Sequence, residues 1–287
     1  MSEMTENNRL QIKLIDNQFA HGKSFGTGDL NIPPVNFDWY RGTQKIGDLI
    51  VFSEDTLEYV DQFDEKFKVG FIIEAPGSNQ KPYDFISNPD NYNKFSYILT
   101  FNKNLINLNP DKFKFYAFGG CWILPNERFI YPKSKNISII ASSKNTTTGH
   151  RLRHEIIQKY GTHIEGLYGG GYQFVQNKIE ALKDFKYSII VEQDNCDALF
   201  SEKLIDCLMT GTIPIYWGCK SISDFFNPKG ILSFDDISEL EPILLQATEQ
   251  NYIDSLDAIK ENFEKAKEFV IPEDYMWEKY FKNHFVS

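Results

Sequence analysis

At 287 residues the chain is long enough for two separate cores, and a formal net charge of −10 excludes a protein that tracks a nucleic-acid backbone, which needs clustered Lys and Arg. Cys121, Cys196, Cys207 and Cys219 show no CxxC spacing, so reduced thiols are expected rather than a disulfide framework or a zinc knuckle. No apolar run reaches the ~18 residues of a transmembrane span and the start MSEMTENNRL is polar, which points to a cytoplasmic protein with no membrane segment.

In chain order, the first half reads as short β-rich runs at Gln11–Ile15, 48–52, 68–73, 96–100 and 114–117, separated by Pro-, Gly- and Asn-rich loops. Helical pattern is confined there to the stretch after Glu54 and to 79–88. A strand at 137–141 then runs into the polar stretch SSKNTTTG, and the domain boundary is placed there. The second half is more regular, with helices expected at 151–160 and 177–183 and a strand at 188–191 that ends in Glu192. Ser201 is an N-cap candidate; Leu204, Ile205, Leu208 and Met209 share one helical face, Gly211 supplies a stop, and Ile213–Trp217 returns to strand. This is a βαβ unit. Helices at 239–247 and 252–269 follow, and the tail from Pro272 carries Tyr275, Trp277, Tyr280, Phe281 and Phe285 as a packing helix. The division is therefore 1–140, 141–270 and a terminal helix at 271–287.

Several side chains stand where α/β folds place ligands. Glu202 and Lys203 open the βαβ helix at the carboxyl edge of the sheet; the acid suits ribose hydroxyls and the ammonium a diphosphate. The bland alternative is a helix-dipole contact beside a solvated lysine. Glu74 ends the apolar run VGFII just before Ala-Pro-Gly, which puts a carboxylate at a strand end facing an interdomain cleft, as a general base or as a loop acid capping a turn. Arg151 and Arg153 follow Lys144 at the start of another helix, where guanidinium forks clamp phosphate or simply meet solvent. Gly169, Gly170 and Gly171 permit close backbone approach or a flexible loop, and Tyr168 and Tyr172 beside them are candidates to stack a base. The polar segment from Glu192 through Asn195 to Ser201 completes the binding set.

The segment EKLIDCLMTGTIPIYWG, followed by DFFNP, resembles the donor-site signature of the α1,3/4-fucosyltransferases, glycosyltransferase family 10, in its bacterial or viral type. That resemblance implies a GT-B fold, two Rossmann-like domains facing a cleft with the N-terminal one reduced, and a terminal helix that crosses back to the first domain. It implies a GDP-fucose donor, inversion at the anomeric carbon, an oligosaccharide or glycan acceptor, and Glu74 as base in an Ile-Glu-Ala-Pro context that departs from the family's Gly-Glu-Asn. It also implies an Arg on the donor diphosphate, matched best by Arg153, and a glycine run lining the nucleotide cleft.

No cofactor and no metal are expected. No Asp-x-Asp pair follows a strand, Asp194 and Asp197 being three apart, and His21, His150, His154, His163 and His284 show no ligand spacing. Besides an inverting fucosyltransferase, two readings stay open: a noncatalytic nucleotide-sugar or glycan-binding module, and the same scaffold using another donor sugar.

Overall fold

A computed structural model of the protein describes residues 9–18 and 22–285. The polar start over 1–8 and His21 lie outside the described residues. The first sheet comprises β1 (Gln11–Ile15), β2 (Asp38–Tyr40), β3 (Leu49–Ser53), β4 (Phe67–Ile72), β5 (Tyr97–Thr100) and β6 (Phe113–Phe115). Its order is β2-β1-β3-β4-β5-β6, with every pair parallel. A long 3₁₀ segment at Glu54–Gln62 and the helices α1 (Lys81–Ile86), α2 (Pro89–Tyr92) and α3 (Lys103–Leu108) connect the strands. Both faces are covered: Ile12, Leu14, Val51, Val69 and Phe71 pack on one side, Ile50, Phe52, Ile72, Ile98 and Phe113 on the other. Two buried faces are why strands such as LIVFS read as unbroken apolar runs.

The second sheet contains β7 (Lys135–Ile140), β8 (Gly166–Tyr168), β9 (Phe185–Val191), β10 (Ile213–Trp217) and β11 (Leu232–Ser233), all parallel, in the order β11-β10-β9-β7-β8. Around it lie α4 (Thr148–Tyr160), α5 (Glu202–Leu208), α6 (Leu240–Gln246), α7 (Glu249–Asp254) and α8 (Leu256–Ala266). Because β8 lies on one side of β7 and β9 on the other, the winding reverses between β7 and β9. In open α/β sheets a crevice opens at such a reversal, beyond the strands' carboxyl ends.

Three expectations need correction. A division after residue 140 would detach β7 from β8 and β9, its hydrogen-bonded neighbours in the second sheet, so the break falls in the crossing segment between Phe115 and Lys135. The helix expected at 177–183 is only a 3₁₀ turn at Lys178–Ala181, because the chain must enter β9 at Phe185. The helix expected at 252–269 breaks at Ser255, whose Oγ donates back to Asn251 O at 2.8 Å and separates α7 from α8. The three-residue β2 and the helix α3 carry too little periodicity to be read from sequence.

The terminal helix α9 (Pro272–Met276) opens with Pro at its first position and continues as a wide π turn over Trp277–Phe281. Met276, Trp277 and Phe281 are buried against Phe37, Trp39 and Ile12 of the first sheet's core. Glu273 fixes the crossing: its Oε1 accepts from Phe25 N at 2.6 Å and from Trp39 Nε1 at 3.1 Å. The tail thus ties the second domain's chain to the first domain's core.

Candidate active site

Two cavities lie at the carboxyl ends of the strands. The larger, about 360 Å³, sits at the winding reversal of the second sheet: Ile140, Ser142 and Lys144 follow β7, Ile190, Val191 and Gln193 end β9, and His150 and Arg153 come from α4. The second, about 230 Å³, lies between the sheets and is lined by Phe25, Glu74, Ser78, Phe118 and Ser201. Trp122, Gln193, Glu202 and Lys203 line both. The two spaces therefore meet at one carboxylate, one ammonium, one amide and one indole.

The local fold sets each group. Ser201 caps α5 with its side chain accepting from Lys203 N, and Glu192 anchors that cap by accepting from Ser201 N at 2.9 Å and Ser201 Oγ at 2.6 Å. Gly211, at φ +70°, closes the unit before β10. Lys203 Nζ lies 3.2 Å from Glu202 Oε1 and 3.6 Å from Glu192 Oε2. Burial alone would raise the Glu202 pKa, but the ammonium groups of Lys203 and Lys178 outweigh it and hold the carboxyl near about 2. Burial likewise works against the Lys203 charge, and Glu202 and Glu192 overcome it, so its pKa is raised. Both groups are ionised at neutral pH.

Lys178 is a member that sequence reading missed. Its Nζ bonds Asp206 Oδ2 at 3.0 Å, lies 3.5 Å from Glu202 Oε1 and stands 3.9 Å from the centroid of the Trp122 indole. Asp206 also accepts from Trp122 N at 2.6 Å, so the indole is fixed through both its ring and its backbone. Gly28, at φ +53°, lies so close to the indole that a Cβ would come within 2.8 Å of it. Lys178 lies 24 and 28 positions from Glu202 and Asp206, and Trp122 lies 84 from Asp206, beyond the reach of local pattern.

Arg153 is buried, and its Nε and Nη2 donate to Val191 O at 3.2 and 2.8 Å. The expected fork is thus partly used on β9's last carbonyl, which holds the guanidinium against the cavity wall. Burial lowers its pKa, opposed by Glu192 and Glu202, and an arginine remains a cation. Lys144 lines the same cavity from an exposed loop, pinned through its carbonyl to His154 Nε2 at 3.0 Å. Among the described residues neither Arg153 nor Lys144 makes a direct ion pair, so these two are the cavity's cations without a carboxylate in contact.

Glu74 lies just past β4, half-buried, with its carboxylate on the interdomain cavity. Burial raises its pKa; Lys203 opposes the rise and Glu202 adds to it. The catalytic candidate and the donor-side pair are therefore electrostatic neighbours across the cleft.

Other candidates are not brought together. Arg151 is exposed and donates to Thr146 O and Thr148 Oγ1 within its own turn, so it faces away from both cavities. Tyr168 is buried with Ala181 and edge-on to Phe185, a core position that leaves no face for a base. Gly169, at φ +111°, abuts the Ala141 carbonyl, and Gly171 approaches Ser143; with the exposed Gly170 they form a turn against the 141–143 backbone rather than a cavity wall. Asn195 lies beyond this site, in a separate depression with Cys196 and Asp197. His150 completes the cap of α4 and His154 bonds Tyr172, which accounts for that histidine pair. Among the described residues no three His, Cys, Asp or Glu side chains form a metal site.

No family model matches the chain. Over 87 residues it is 32% identical to the α-(1,3)-fucosyltransferase FucT of Helicobacter pylori, a match covering 29% of this chain and 18% of that protein. The chain thus aligns with less than a fifth of that relative's length. Crystal structures of an α1,3-fucosyltransferase superpose over 94% of this chain and 93% of theirs: the first has a TM-score of 0.54 at 16% identity, and another, holding GDP-fucose, 0.52 at 17%. TarM superposes at a TM-score of 0.54 and 15% identity, over 85% of this chain and 56% of TarM. The chain thus shares a GT-B fold with an α1,3-fucosyltransferase along nearly its whole length, and a stretch of 87 residues is similar in sequence to another.

Proposed function

We propose that the protein is an inverting glycosyltransferase that moves L-fucose from GDP-fucose to a hydroxyl of a glycan acceptor, in an α1,3-type linkage and without a divalent ion. The observation that carries this reading is the meeting of two cavities at Glu202 and Lys203, with Glu74 on the far wall of the second. The nucleotide occupies the cavity at the β7/β9 reversal. Glu202, held ionised, accepts from ribose hydroxyls, and Arg153, Lys144 and Lys203 meet the diphosphate. The acceptor enters the interdomain cavity beside Phe25, Phe118 and Trp122, whose apolar edges suit the C–H groups of a sugar.

In the transfer step the acceptor oxygen attacks the anomeric carbon from the face opposite the diphosphate. The carbon–oxygen bond to the β-phosphate breaks, GDP leaves with the electron pair, and the hydroxyl proton passes to the Glu74 carboxylate. Arg153, Lys144 and Lys203 stabilise the charge that builds on the leaving group, the task a metal performs in other transferases. The four free thiols suit a reducing, cytoplasmic setting.

Calorimetric titration with GDP, GDP-fucose, GDP-mannose and UDP-galactose in EDTA tests the donor. Selective binding of GDP and GDP-fucose is expected. Preference for another nucleotide-sugar would assign the scaffold a different donor, and binding of none, in a protein that unfolds cooperatively, would overturn the enzyme reading.

A further inference from the structure

We propose that Glu54 positions Glu74, an inference that rests on Glu74 being the base. The Glu74 carboxylate makes no hydrogen bond or ion pair among the described residues, so its aim is set by its backbone. That backbone is clamped from both sides. Oε1 of Glu54 accepts from Ile73 N at 2.6 Å and from Glu74 N at 2.9 Å, while Tyr83 OH donates to Glu74 O at 2.8 Å. The clamp is itself held, with Asn79 Nδ2 bridging Glu54 Oε2 at 3.3 Å and Asp55 Oδ1 at 2.9 Å.

The position is costly to maintain. Glu54 is fully buried directly after β3, the strand that neighbours β4, and its φ of +48° lies in the left-handed region that non-glycine residues seldom adopt. A carboxyl group without a cation partner and a backbone of this kind persist where the surroundings over-determine them, commonly beside a functional group. Here the side chain receives the two amide N–H groups that directly follow the end of β4. An ordinary turn would leave those donors to water, and Glu74 would swing with its loop.

The test uses GDP-fucose as donor and N-acetyllactosamine as acceptor, with kcat, KM and calorimetric GDP-fucose affinity measured for each variant. Glu54→Gln, which keeps the Oε1 acceptor, should retain kcat within about threefold. Glu54→Ala should lower kcat at least tenfold with donor affinity within twofold of the parent. In a Glu74→Gln background Glu54→Ala should cause no further loss, because both changes act through one group. Should Glu54→Ala not fold, Tyr83→Phe, which removes only the carbonyl clamp, carries the same expectation of lower kcat at unchanged affinity. Full turnover in Glu54→Ala beside an inactive Glu74→Gln would overturn the positioning role alone. Equal losses in Glu54→Gln and Glu54→Ala, or multiplied losses in the double variant, would overturn it as well. Full turnover in Glu74→Gln would instead overturn the base assignment, and the positioning role with it.

Discussion

The Nζ of Lys203 lies 3.2 Å from Oε1 of Glu202, its neighbour in the chain, and the pair stands where the two cavities join. Under the proposed function, Lys203→Ala removes an ammonium that a diphosphate would meet and releases the carboxylate that would accept from the ribose. Charge-assisted hydrogen bonds contribute ~1.5–3 kcal/mol each, so GDP affinity should fall by roughly 10- to 100-fold. Calorimetry measures this directly, and an unchanged Kd would remove Lys203 from the donor site. The pair also carries a pH signature. With the Glu202 pKa depressed from 4.5 to about 2, its stabilising contribution is present above the unfolded value and is lost as pH falls through about 2.

Trp122 is 43% exposed, whereas Trp39, Trp217 and Trp277 are each below 9%. A ligand filling either cavity therefore changes the surroundings of one indole. Titration with GDP-fucose should change tryptophan emission, and Trp122→Phe should abolish most of that change while binding persists. A full signal in Trp122→Phe would mean that ligand entry moves the buried indoles instead. Lys178→Met, which removes the cation over the ring, should loosen the same indole and weaken donor binding by a few-fold.

Glu273 ties the terminal helix to the first domain while buried without a cation. Burial raises its pKa from 4.5 to about 7, against the pull of the Trp39 and Phe25 donors. For a raised carboxyl the stability contribution is full below the unfolded pKa and is lost as pH rises through the folded one. Glu54, raised to about 7 by the same cause, adds to the trend. Melting temperature should therefore decline between about pH 4.5 and about pH 7 through these two groups, and Glu273→Gln should flatten that decline while keeping the Oε1 acceptor. An unchanged pH slope in Glu273→Gln would show that the carboxyl is ionised in the folded chain.

What was legible in the sequence was local. Ser201 as cap, the stripe Leu204, Ile205, Leu208, Met209 and the stop at Gly211 all rest on spacing within one helical turn or two, and β1 and β10 fall on the residues that alternation and β-branching marked. The placement of Glu74 and of the Glu202 and Lys203 pair at the cavities follows from strand ends and helix starts facing the cleft in open α/β folds. The rest depended on partners remote in the chain. Lys178 and Asp206 are 28 positions apart, and Arg153 and Val191 are 38. Tyr168 looked available because aromatic residues beside glycines suit stacking, and only the neighbouring Phe185 shows that its ring is core. The role of Glu54 rests on a two-strand juxtaposition that a linear reading does not contain.

The most direct test of the account compares Glu74→Gln with the parent, measuring turnover of GDP-fucose with N-acetyllactosamine across pH alongside calorimetric donor affinity. Burial raises the Glu74 pKa, so the acid limb of the parent's kcat should lie above the ordinary glutamate value. Glu74→Gln should lose turnover by about 100-fold or more and lose that limb, with GDP-fucose affinity within twofold of the parent. Retained turnover with the same acid limb would contradict the assignment of Glu74 as the group that takes the acceptor's proton.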